Sequence, residues 1–455
     1  MDDSIFEYLQ DKQKVSISTI QRDLAIGFIK ARELYDELVE KGYVYKNGEV
    51  NTWAVYDELY KSPNKVDTKD VSEEEIYYAR ILDLIDNSPF YPTEPESRDR
   101  LATELEIIHK EKVSKTIWYC YEVGKFARDH KEPFHLGGTL TNLYTLYVLD
   151  VLKYNPIEMG CNYQTCFGPK EKPKYSLSVD VYTSRSAFKL FKEGIKEFEE
   201  NDAVYQFGVT QSGNKLICDQ NEFLVVPKSI DIEKYYCVKR KPDVDGPILV
   251  WTLGKDTKDI EIFFRLFPSN ILSMYKIMSS IYPTKKFITD DELIEDFEYL
   301  LDNKKFETND LALKTYEMMK KPFDLNDIIS FRGYLDSTHA INKTSSIVFP
   351  DRDVLFDYLI KRDGFDESLA CSLIFLVRTG RMAKRDYYDH ECLIHNIDNL
   401  LPIEVLRDMT NTLYLTIRGM SAEKTYYYLL LMHYYRYHEK EFLSILQEIG
   451  GVSLC

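Results

Sequence analysis

The stretch SISTIQRDLAIGFIKARELYDELVEKGYV, residues 16–44, constrains the fold more than any other part of the chain. Ser18 is a suitable N-cap for a short helix over Thr19–Leu24, because its hydroxyl can accept a hydrogen bond from a free backbone N–H. A tight turn follows and ends at Gly27, since glycine adopts backbone angles that other residues resist. From Phe28 onward, apolar residues recur at spacings of three and four, which predicts a second helix with one buried face. The apolar positions of this second helix are Ala31, Leu34 and Leu38.

The residues that follow predict a hairpin. Gly42 ends the second helix, and Tyr43–Tyr45 has the composition of a strand. Lys46-Asn47-Gly48 is typical of a hairpin turn. Two helices joined by a tight turn and followed by a hairpin form a winged helix-turn-helix, and the second helix of such a motif commonly binds DNA. We therefore predict a winged-helix DNA-binding domain over residues 1–50, with double-stranded DNA as its partner.

This domain resembles the gamma domain of the FtsK family of DNA translocases. The shared residues are Ser16-x-Ser18-x-x-Gln21-Arg22, Ile26-Gly27, then Ala31, Leu34 and Leu38, and finally Gly42-x-Val44. The resemblance implies a winged helix that recognises short DNA sequences. The chain departs from the family at Ile29-Lys30, where Asn-Arg is usual, and at Glu33, where another arginine is common.

Five basic residues of this domain are candidates for contact with DNA phosphates. Arg22, Lys30 and Arg32 lie on the two predicted helices and are the preferred candidates, since cationic side chains supply most phosphate contacts. Lys14 and Lys46 are further candidates beside the helices. A winged helix used for protein contacts is the alternative interpretation of the same pattern.

The composition limits where DNA could bind. The chain has 455 residues, enough for two to four domains, and a formal net charge of −17. That charge opposes non-specific binding of DNA by the whole molecule, so any DNA contact must be local. Eight cysteines, the lack of a signal peptide and the lack of an apolar run long enough to span a bilayer predict a cytoplasmic protein with no membrane partner.

The remaining residues predict an α+β chain that is mainly helical. Residues 51–94 are polar and are interpreted as a linker with one helix, Glu73–Asp86. Residues 160–260 are rich in strand patterns, whereas about 268–450 are mostly helical in pattern. The predicted strands are Tyr175–Tyr182, Asp202–Thr210, Glu222–Pro227, Pro247–Trp251 and Asp259–Phe267.

The order of segments after residue 94 resembles the bacterial family C replicative DNA polymerases, most closely the PolC type. The segments that carry the resemblance are Phe349–Ile360, Ser368–Ala370, Val377–Arg381, Asn155–Ile157 and Leu224–Pro227. The resemblance implies a polymerase-like palm sheet with thumb and finger helices. It places a thumb and palm domain over residues 95–270 and a helical finger-like domain over residues 271–455.

The chain departs from that family where the catalytic carboxylates would lie. Polymerases hold two metal ions with palm carboxylates. The resemblance places Ser176 and Ser178 at two of these acidic positions and Arg265 at the third. Asp180 is the only nearby acid, and a guanidinium repels a metal ion. Gly137 also replaces the arginine of the family's phosphate-binding loop. We therefore predict a pseudo-polymerase with no catalytic residues.

No cofactor or metal ion is predicted. The chain has no GxxxxGK[ST] phosphate loop, so the motor ATPase associated with gamma domains is not expected. Cys161 and Cys166 could supply only two of the four ligands that a closed structural zinc site needs.

Together these patterns predict a non-catalytic DNA-binding protein with a polymerase-derived body, acting in DNA replication or its control. Replisome proteins are expected as further partners, and a phage, plasmid or other mobile element as the source. Two alternatives remain open. A minimal active polymerase would use re-sited acids, Asp180 with Asp259 or Glu261. An inhibitor or decoy would bind replisome proteins without binding DNA, which the net charge favours and the winged helix disfavours.

Overall fold

The computed structural model divides the chain into two compact units, Met1–Asp83 and Leu84–Cys455. The structure describes residues 3–10, 12, 14–48, 50–51, 55, 72–167, 178–210, 216–234, 237–239, 248–250, 262–283, 288–302, 323–339, 349–362, 364–378, 380–384 and 401–449. Helices predominate and are combined with a seven-stranded mixed sheet, which confirms the predicted α+β class.

The N-terminal unit begins with three helices, α1 (Asp3–Gln10), α2 (Ile17–Asp23) and α3 (Phe28–Glu40). After α3 the chain turns back on itself, because Val44 and Val50 form an antiparallel bridge. The two predicted helices and the reversal that follows them are therefore present in the predicted order.

The turn between α2 and α3 differs from the prediction in its details. Ser16 caps α2 in place of Ser18, since its Oγ accepts a hydrogen bond from the backbone N–H of Thr19 at 3.2 Å. The left-handed backbone conformation belongs to Ala25, with φ of 52°. Gly27 is instead extended, with φ of −66° and ψ of 151°, so its special freedom is not used.

The core of the N-terminal unit confirms the predicted buried face of α3. Ala31 and Leu38 are fully buried, and Leu34 is half-buried. Gly42 follows α3 with φ of 80°, as expected for a glycine that ends a helix. The buried apolar cluster consists of Phe6, Leu9, Val15, Ile20, Ala31, Leu38, Val44, Val50 and Val55.

The helix predicted within the polar segment 51–94 is confirmed with the same bounds, Glu73–Asp86 (α4). Three glutamates, Glu73, Glu74 and Glu75, occupy its first turn, where negative charge is favourable to the helix dipole. This helix extends across the boundary between the two units.

The sheet of the C-terminal unit contains seven strands. They are β1 (Phe134–Gly137), β2 (Ser178–Ser184), β3 (Asp202–Thr210), β4 (Leu216–Pro227), β5 (Cys237–Lys239), β6 (Ile248–Val250) and β7 (Ile262–Ser269). Their spatial order is β1-β2-β7-β4-β3-β6-β5. The β2–β7 and β3–β6 pairs are parallel, and the other neighbouring pairs are antiparallel. All five predicted strands overlap observed ones.

Helices before and within the sheet-forming segment are α5 (Pro95–Lys110), α6 (Ser114–Asp129), α7 (Tyr144–Val148), α8 (Gln164–Phe167) and α9 (Phe188–Gly194). Those that follow it are α10 (Asn270–Ile281), α11 (Asp290–Asp302), α12 (Leu325–Asp336), α13 (Arg352–Asp357), α14 (Glu367–Arg378), α15 (Arg381–Lys384), α16 (Ile403–Asn411), α17 (Arg418–Tyr437) and α18 (Glu439–Glu448). Short 3₁₀ turns cover Thr139–Asn142, Ile195–Glu197 and Ile232–Lys234, and a π turn covers Tyr358–Arg362. A two-stranded sheet pairs β8 (Thr338–His339) with β9 (Thr412–Tyr414).

Helix α17 forms the centre of the helical core. Its tyrosines are packing residues, as expected from their spacing among leucines, because the side chains of Tyr427, Tyr428 and Tyr434 are nearly fully buried. Helices α10, α11, α12 and α18 contribute apolar residues to the same cluster. Within the described ranges, no helix is both long enough and apolar enough to cross a bilayer.

Asp353 ties helices α13 and α17 to the segments between β1 and β2. Its Oδ1 accepts hydrogen bonds from Asn142 Nδ2 at 2.7 Å and from the backbone N–H of Asn162 at 2.8 Å. Its Oδ2 accepts one from the backbone N–H of Arg418 at 3.0 Å. A buried carboxyl group needs such partners, and the neighbouring Arg352 is held separately, because its Nε donates to Leu415 O at 2.8 Å.

Candidate functional site

Helix α3 presents two of the predicted DNA-contacting residues to solvent. Lys30 lies in its first turn and is exposed, and no described residue forms an ion pair with it. The Arg32 side chain is 66% exposed, and its Nε lies 3.8 Å from Asp36 Oδ2. An exposed pair of this kind contributes little stability, so Arg32 can exchange Asp36 for a phosphate at little cost.

Arg22 lies at the end of α2 beside a carboxylate. Its Nε is 2.9 Å from Asp23 Oδ1, although its side chain is 76% exposed. Lys12 Nζ lies 3.1 Å from the other oxygen of Asp23. Hydrogen bonds from Lys12 and Arg22 hold the pKa of Asp23 below its usual value. A phosphate that binds Arg22 must therefore compete with an ionised carboxylate.

Lys14 and Lys46 lie on two adjacent segments of the N-terminal unit. Both side chains are exposed. The backbone N–H of Val15 donates to Gly48 O at 2.8 Å, which holds the segment with Lys14 against the turn that contains Lys46. The structure thus brings these two candidates to one part of the N-terminal unit.

The first turn of α3 carries an exposed cation, although acidic residues outnumber basic ones in residues 1–50. Residues 1–50 contain seven Lys and Arg residues against ten Asp and Glu residues. A cation such as Lys30 in the first turn opposes the helix dipole, whereas an anion placed there is stabilised. The neighbouring Phe28 and Ile29 are 53% and 73% exposed. These features do not stabilise the isolated helix.

The sheet of the C-terminal unit contains a second site, the Asp180–Arg265 pair. Asp180 on β2 and Arg265 on β7 are register partners in two adjacent parallel strands. Arg265 Nε lies 2.7 Å from Asp180 Oδ1, and a terminal nitrogen, Nη2, lies 2.7 Å from Oδ2. This is a bidentate pair, the strongest geometry for a guanidinium and a carboxylate.

Neighbouring groups reinforce the pair. Arg265 Nη2 also donates to Ser178 Oγ at 2.9 Å. Burial acts to lower the pKa of Arg265, but the hydrogen bonds and charge of Asp180, together with the charge of Glu222, raise it overall. Ser176, the other predicted degenerate position, lies outside the described residues.

Two glycines allow the backbone to pass close to the pair. A Cβ at Gly137 would lie 2.6 Å from Tyr182 Cε2, which excludes any larger residue without rearrangement. Gly138 has φ of 76°, and a Cβ there would lie 3.3 Å from Asp180 Oδ2. Where the sequence suggested only the loss of an arginine at Gly137, the structure gives the glycine a packing role.

Both oxygens of Asp180 are bound by Arg265, so this carboxylate is not available as a metal ligand in the observed geometry. In the described parts of the chain, no three or more His, Cys, Asp or Glu residues come together in a way that could hold a metal ion. Asp259 and Glu261, the acids of the alternative polymerase site, lie outside the described residues.

Cys161 and Cys166 are both buried thiols. Burial raises the pKa of each well above its usual value. Cys166 Sγ donates to Thr139 O at 2.9 Å, so this thiol has a hydrogen-bonding role in packing.

Two arginines outside the predicted set, Arg352 and Arg378, line the same cavity as Asp180 and Arg265. The sequence does not indicate Arg352 as a site residue. It stands between Asp351 and Asp353, and an arginine between two aspartates suggests an ion pair with one of them. In the structure Asp351 pairs instead with Arg418, whose Nη1 lies 2.9 Å from its Oδ2.

A family model for the Ftsk gamma domain matches residues 2–55 of the chain. The match covers α1, α2, α3 and the Val44–Val50 bridge, and it supports a DNA-binding winged helix at this end of the chain. No curated protein matches the chain.

Proposed function

We propose that this chain is a non-catalytic DNA-binding protein whose N-terminal winged helix binds duplex DNA and whose polymerase-derived body acts in DNA replication or its control. The observation that carries the DNA-binding part is the gamma-domain match over residues 2–55. It coincides with a helix, α3, whose first turn exposes Lys30 and whose next residues expose Arg32.

In this proposal α3 enters the major groove with its N-terminal turn first, as recognition helices do. Lys30 and Arg32 bind phosphates on the groove edges, and the helix N-terminus adds its own attraction for them. The exposed Ile29 side chain is placed to contact base edges, where apolar groups recognise thymine methyls. Lys14 and Lys46 contact the adjacent backbone from the hairpin.

The proposed lack of catalysis is supported by the Asp180–Arg265 pair. A polymerase needs carboxylates that are free to bind two metal ions. Here Asp180, the only acid near the degenerate positions, is held by a guanidinium through two hydrogen bonds of 2.7 Å. Arg265 stands where the family places an acid. Its guanidinium neutralises the nearby carboxylate, as a metal ion would, but it cannot carry out the catalysis that the metal ions of a polymerase perform.

A polymerase-derived region without catalytic activity would act by binding other proteins at its surface. We propose that it contacts replisome proteins, which an inactive relative of a polymerase can do by competing for the same partners. A mobile genetic element is the source that fits such competition best.

The test is a titration of fluorescent random-sequence duplex DNA with the full chain at low salt and at several higher salt concentrations. Wild-type binding should weaken as salt rises, because phosphate contacts release counterions. Lys30→Glu combined with Arg32→Glu should weaken binding by about tenfold or more, since two phosphate contacts become repulsive.

Lys41→Glu is the matched control, because Lys41 directly follows the same helix at its other end and is 47% exposed. It should retain nearly wild-type affinity. Equal affinity of the double variant and the wild type would refute the phosphate assignment. Absence of any wild-type binding at low salt would instead favour a decoy that binds only protein.

A further inference from the structure

One face of the C-terminal unit combines aromatic rings with carboxylates, and we call it the tyrosine–carboxylate face. Its residues come from the loop before α5, from α7 and the loop that follows it, from the first turn of α11 and from α17. They are Phe90, Tyr147, Tyr154, Glu158, Asp290, Asp291 and Tyr426. None of these seven described residues lines the cavity beside Asp180 and Arg265.

The aromatic part of this face keeps ring surface open to solvent. Phe90 is 38% exposed, although its ring centroid lies 5.3 Å from that of Tyr147. Tyr154 and Tyr426 are half-buried and meet edge to face, with ring centroids 5.7 Å apart. Solvent-exposed aromatic rings attract cations to their faces, and aromatic residues are enriched at protein interfaces.

The carboxylates of the face lack cationic partners. Glu158, Asp290 and Asp291 are exposed, and no described residue forms an ion pair with any of them. Glu158 Oε1 instead accepts a hydrogen bond from the neutral amide of Asn155 at 2.9 Å. Lys153 belongs to the same loop, but its Nζ lies 5.4 Å from the centroid of the Phe134 ring. The face therefore carries uncompensated negative charge.

The carboxylates and the tyrosines lie within electrostatic range of one another. Burial and the charge of Glu158 raise the pKa of Tyr147. Burial and the charges of Asp291 and Glu158 also raise the pKa of Asp290. Burial raises the pKa of Tyr154, and the charge of Asp290 adds to this effect. Because each of these carboxylates disfavours a further negative charge nearby, a bound cation would relieve their repulsion.

A buried carboxyl group adds to the negative potential behind the face. Glu423 on α17 is 2% exposed, and its Oε1 accepts a hydrogen bond from the backbone N–H of Lys153 at 2.7 Å. Its other oxygen, Oε2, has no hydrogen-bond donor among the described residues. The charge of Glu423 acts on both Tyr154 and Tyr426. A cation bound at the face would therefore also favour the ionised form of Glu423.

We propose that the tyrosine–carboxylate face binds an arginine- and lysine-rich segment of a partner protein. A guanidinium group stacks on aromatic rings and pairs with carboxylates in bidentate geometry, so arginine can use both components of the face. The same negative charge repels nucleic acid, and it repels a second copy of this chain, whose net charge is −17. Binding at this face depends neither on DNA binding by α3 nor on the lack of catalysis.

The experiment is a fluorescence anisotropy titration of two labelled peptides, deca-arginine and deca-lysine, with the full chain at low and at physiological salt. The wild type should bind deca-arginine about threefold or more tightly than deca-lysine, because the guanidinium gains more from the aromatic rings. Absence of binding to both peptides at low salt would overturn the proposal. Equal affinity for the two peptides would also overturn it, because net charge alone would then explain the attraction.

The key variant combines Glu158→Gln with Asp290→Asn, and the matched control combines Glu197→Gln with Glu200→Gln. The control removes the same two negative charges from exposed side chains elsewhere in the C-terminal unit. The key variant should weaken deca-arginine binding by about fivefold or more, since two exposed ion pairs are lost. The control should stay within about twofold of the wild type, the scale of a surface substitution. Equal losses in the two variants would overturn the proposal.

Phe90→Leu tests the aromatic part of the face, since it removes the ring but keeps an apolar side chain. It should reduce the preference for deca-arginine to less than about twofold. An unchanged preference would overturn the proposal.

Hydrogen exchange followed by mass spectrometry locates the bound peptide. Deca-arginine should protect residues 88–97, 144–158 and 288–296 of the wild type. Protection confined to other segments would overturn the proposal. The Glu158→Gln, Asp290→Asn variant should bind duplex DNA with wild-type affinity, so this measurement separates failure at the face from failure of DNA binding by the N-terminal unit.

Discussion

The cations of the two units are held in opposite ways. In the N-terminal unit, Lys30 and Arg32 lie in solvent, and Arg32 has only a loose 3.8 Å contact with Asp36. In the C-terminal unit, Arg265 is fixed on Asp180 by two hydrogen bonds, and Arg352 is 6% exposed. Exposed charges can change partners at little cost, whereas buried charges are fixed and costly to leave unpaired. The first arrangement suits a surface that binds and releases DNA, and the second suits a preorganised site.

The largest difference between the units should appear on adding a small side chain to a glycine. A Cβ at Gly419 would lie 2.2 Å from Thr141 O, so Gly419→Ala should cost about 3 kcal/mol or more in free energy of unfolding. At Gly27 nothing lies within 4 Å of the added atom, and serine is a better helix cap, so Gly27→Ser should be neutral or slightly stabilising. Urea denaturation measures both. A small effect at Gly419 would show that this packing is less tight than described.

Acidic residues of the two units should respond to pH with opposite signs. Burial raises the pKa of Glu423 to about 7 from its usual 4.5. The folded C-terminal unit therefore favours the protonated form, and its stability falls as pH rises from 4.5 towards 7. Asp23 has a lowered pKa, so its contribution in the N-terminal unit is present above its usual value of 3.8 and is lost on acidification.

Hydrogen exchange followed by mass spectrometry separates the units and tests this contrast. Glu423→Gln should reduce the decline of the C-terminal unit between pH 5 and pH 8 by about 2–3 kcal/mol, leaving the part that comes from Asp353, whose pKa burial also raises to about 7. The N-terminal peptides should be unaffected. A wild-type pH profile in the Glu423→Gln variant would contradict the assignment.

The Asp180–Arg265 pair should be asymmetric. Arg265→Met leaves a carboxylate whose side chain is 10% exposed without its partner. Its cost should be about 2 kcal/mol, below the usual loss for a buried pair because Arg265 itself is partly solvated. Asp180→Asn leaves a guanidinium that is 37% exposed, and should cost about 1 kcal/mol. Denaturation of both single variants and the double variant measures the coupling free energy between the two side chains. If Asp180→Asn costs more than Arg265→Met, Arg265 is the more deeply buried partner.

The smallest expected change in stability belongs to the exposed cations. Lys30→Gln with Arg32→Gln should alter the free energy of unfolding by less than about 0.5 kcal/mol. In DNA binding, however, the slope of log affinity against log salt should become shallower by about 2, one for each lost phosphate contact. An unchanged slope would show that neither residue contacts phosphate, even if the affinity falls.

Local sequence signals predicted local structure well. The glutamate-rich start and apolar spacing gave helix Glu73–Asp86 its correct bounds. The prediction of Ser18 as the cap of α2 was wrong, because Ser16 also precedes a suitable helix start and the local pattern does not rank the two hydroxyls. It also could not show that Ala25 adopts the left-handed conformation, because the adjacent turn and helix impose that strain.

Contacts between distant residues were harder to predict. The resemblance placed Arg265 at a catalytic position and left Asp180 as the only nearby acid, and the structure brings the two together. Their bidentate pairing depends on the register of two strands 85 residues apart in sequence, which no local pattern encodes. The network around Asp353 likewise joins three segments that are distant in sequence, those of Asn142, Asn162 and Arg418.

The central claim, a DNA-binding protein without polymerase activity, is tested most directly by primer extension with the full chain on a primed template, in magnesium and in manganese. The account predicts no extension above background with either ion, because the guanidinium of Arg265 holds the carboxylate that a metal would need. Extension by the wild type that disappears in Asp180→Ala would contradict it and establish an active enzyme.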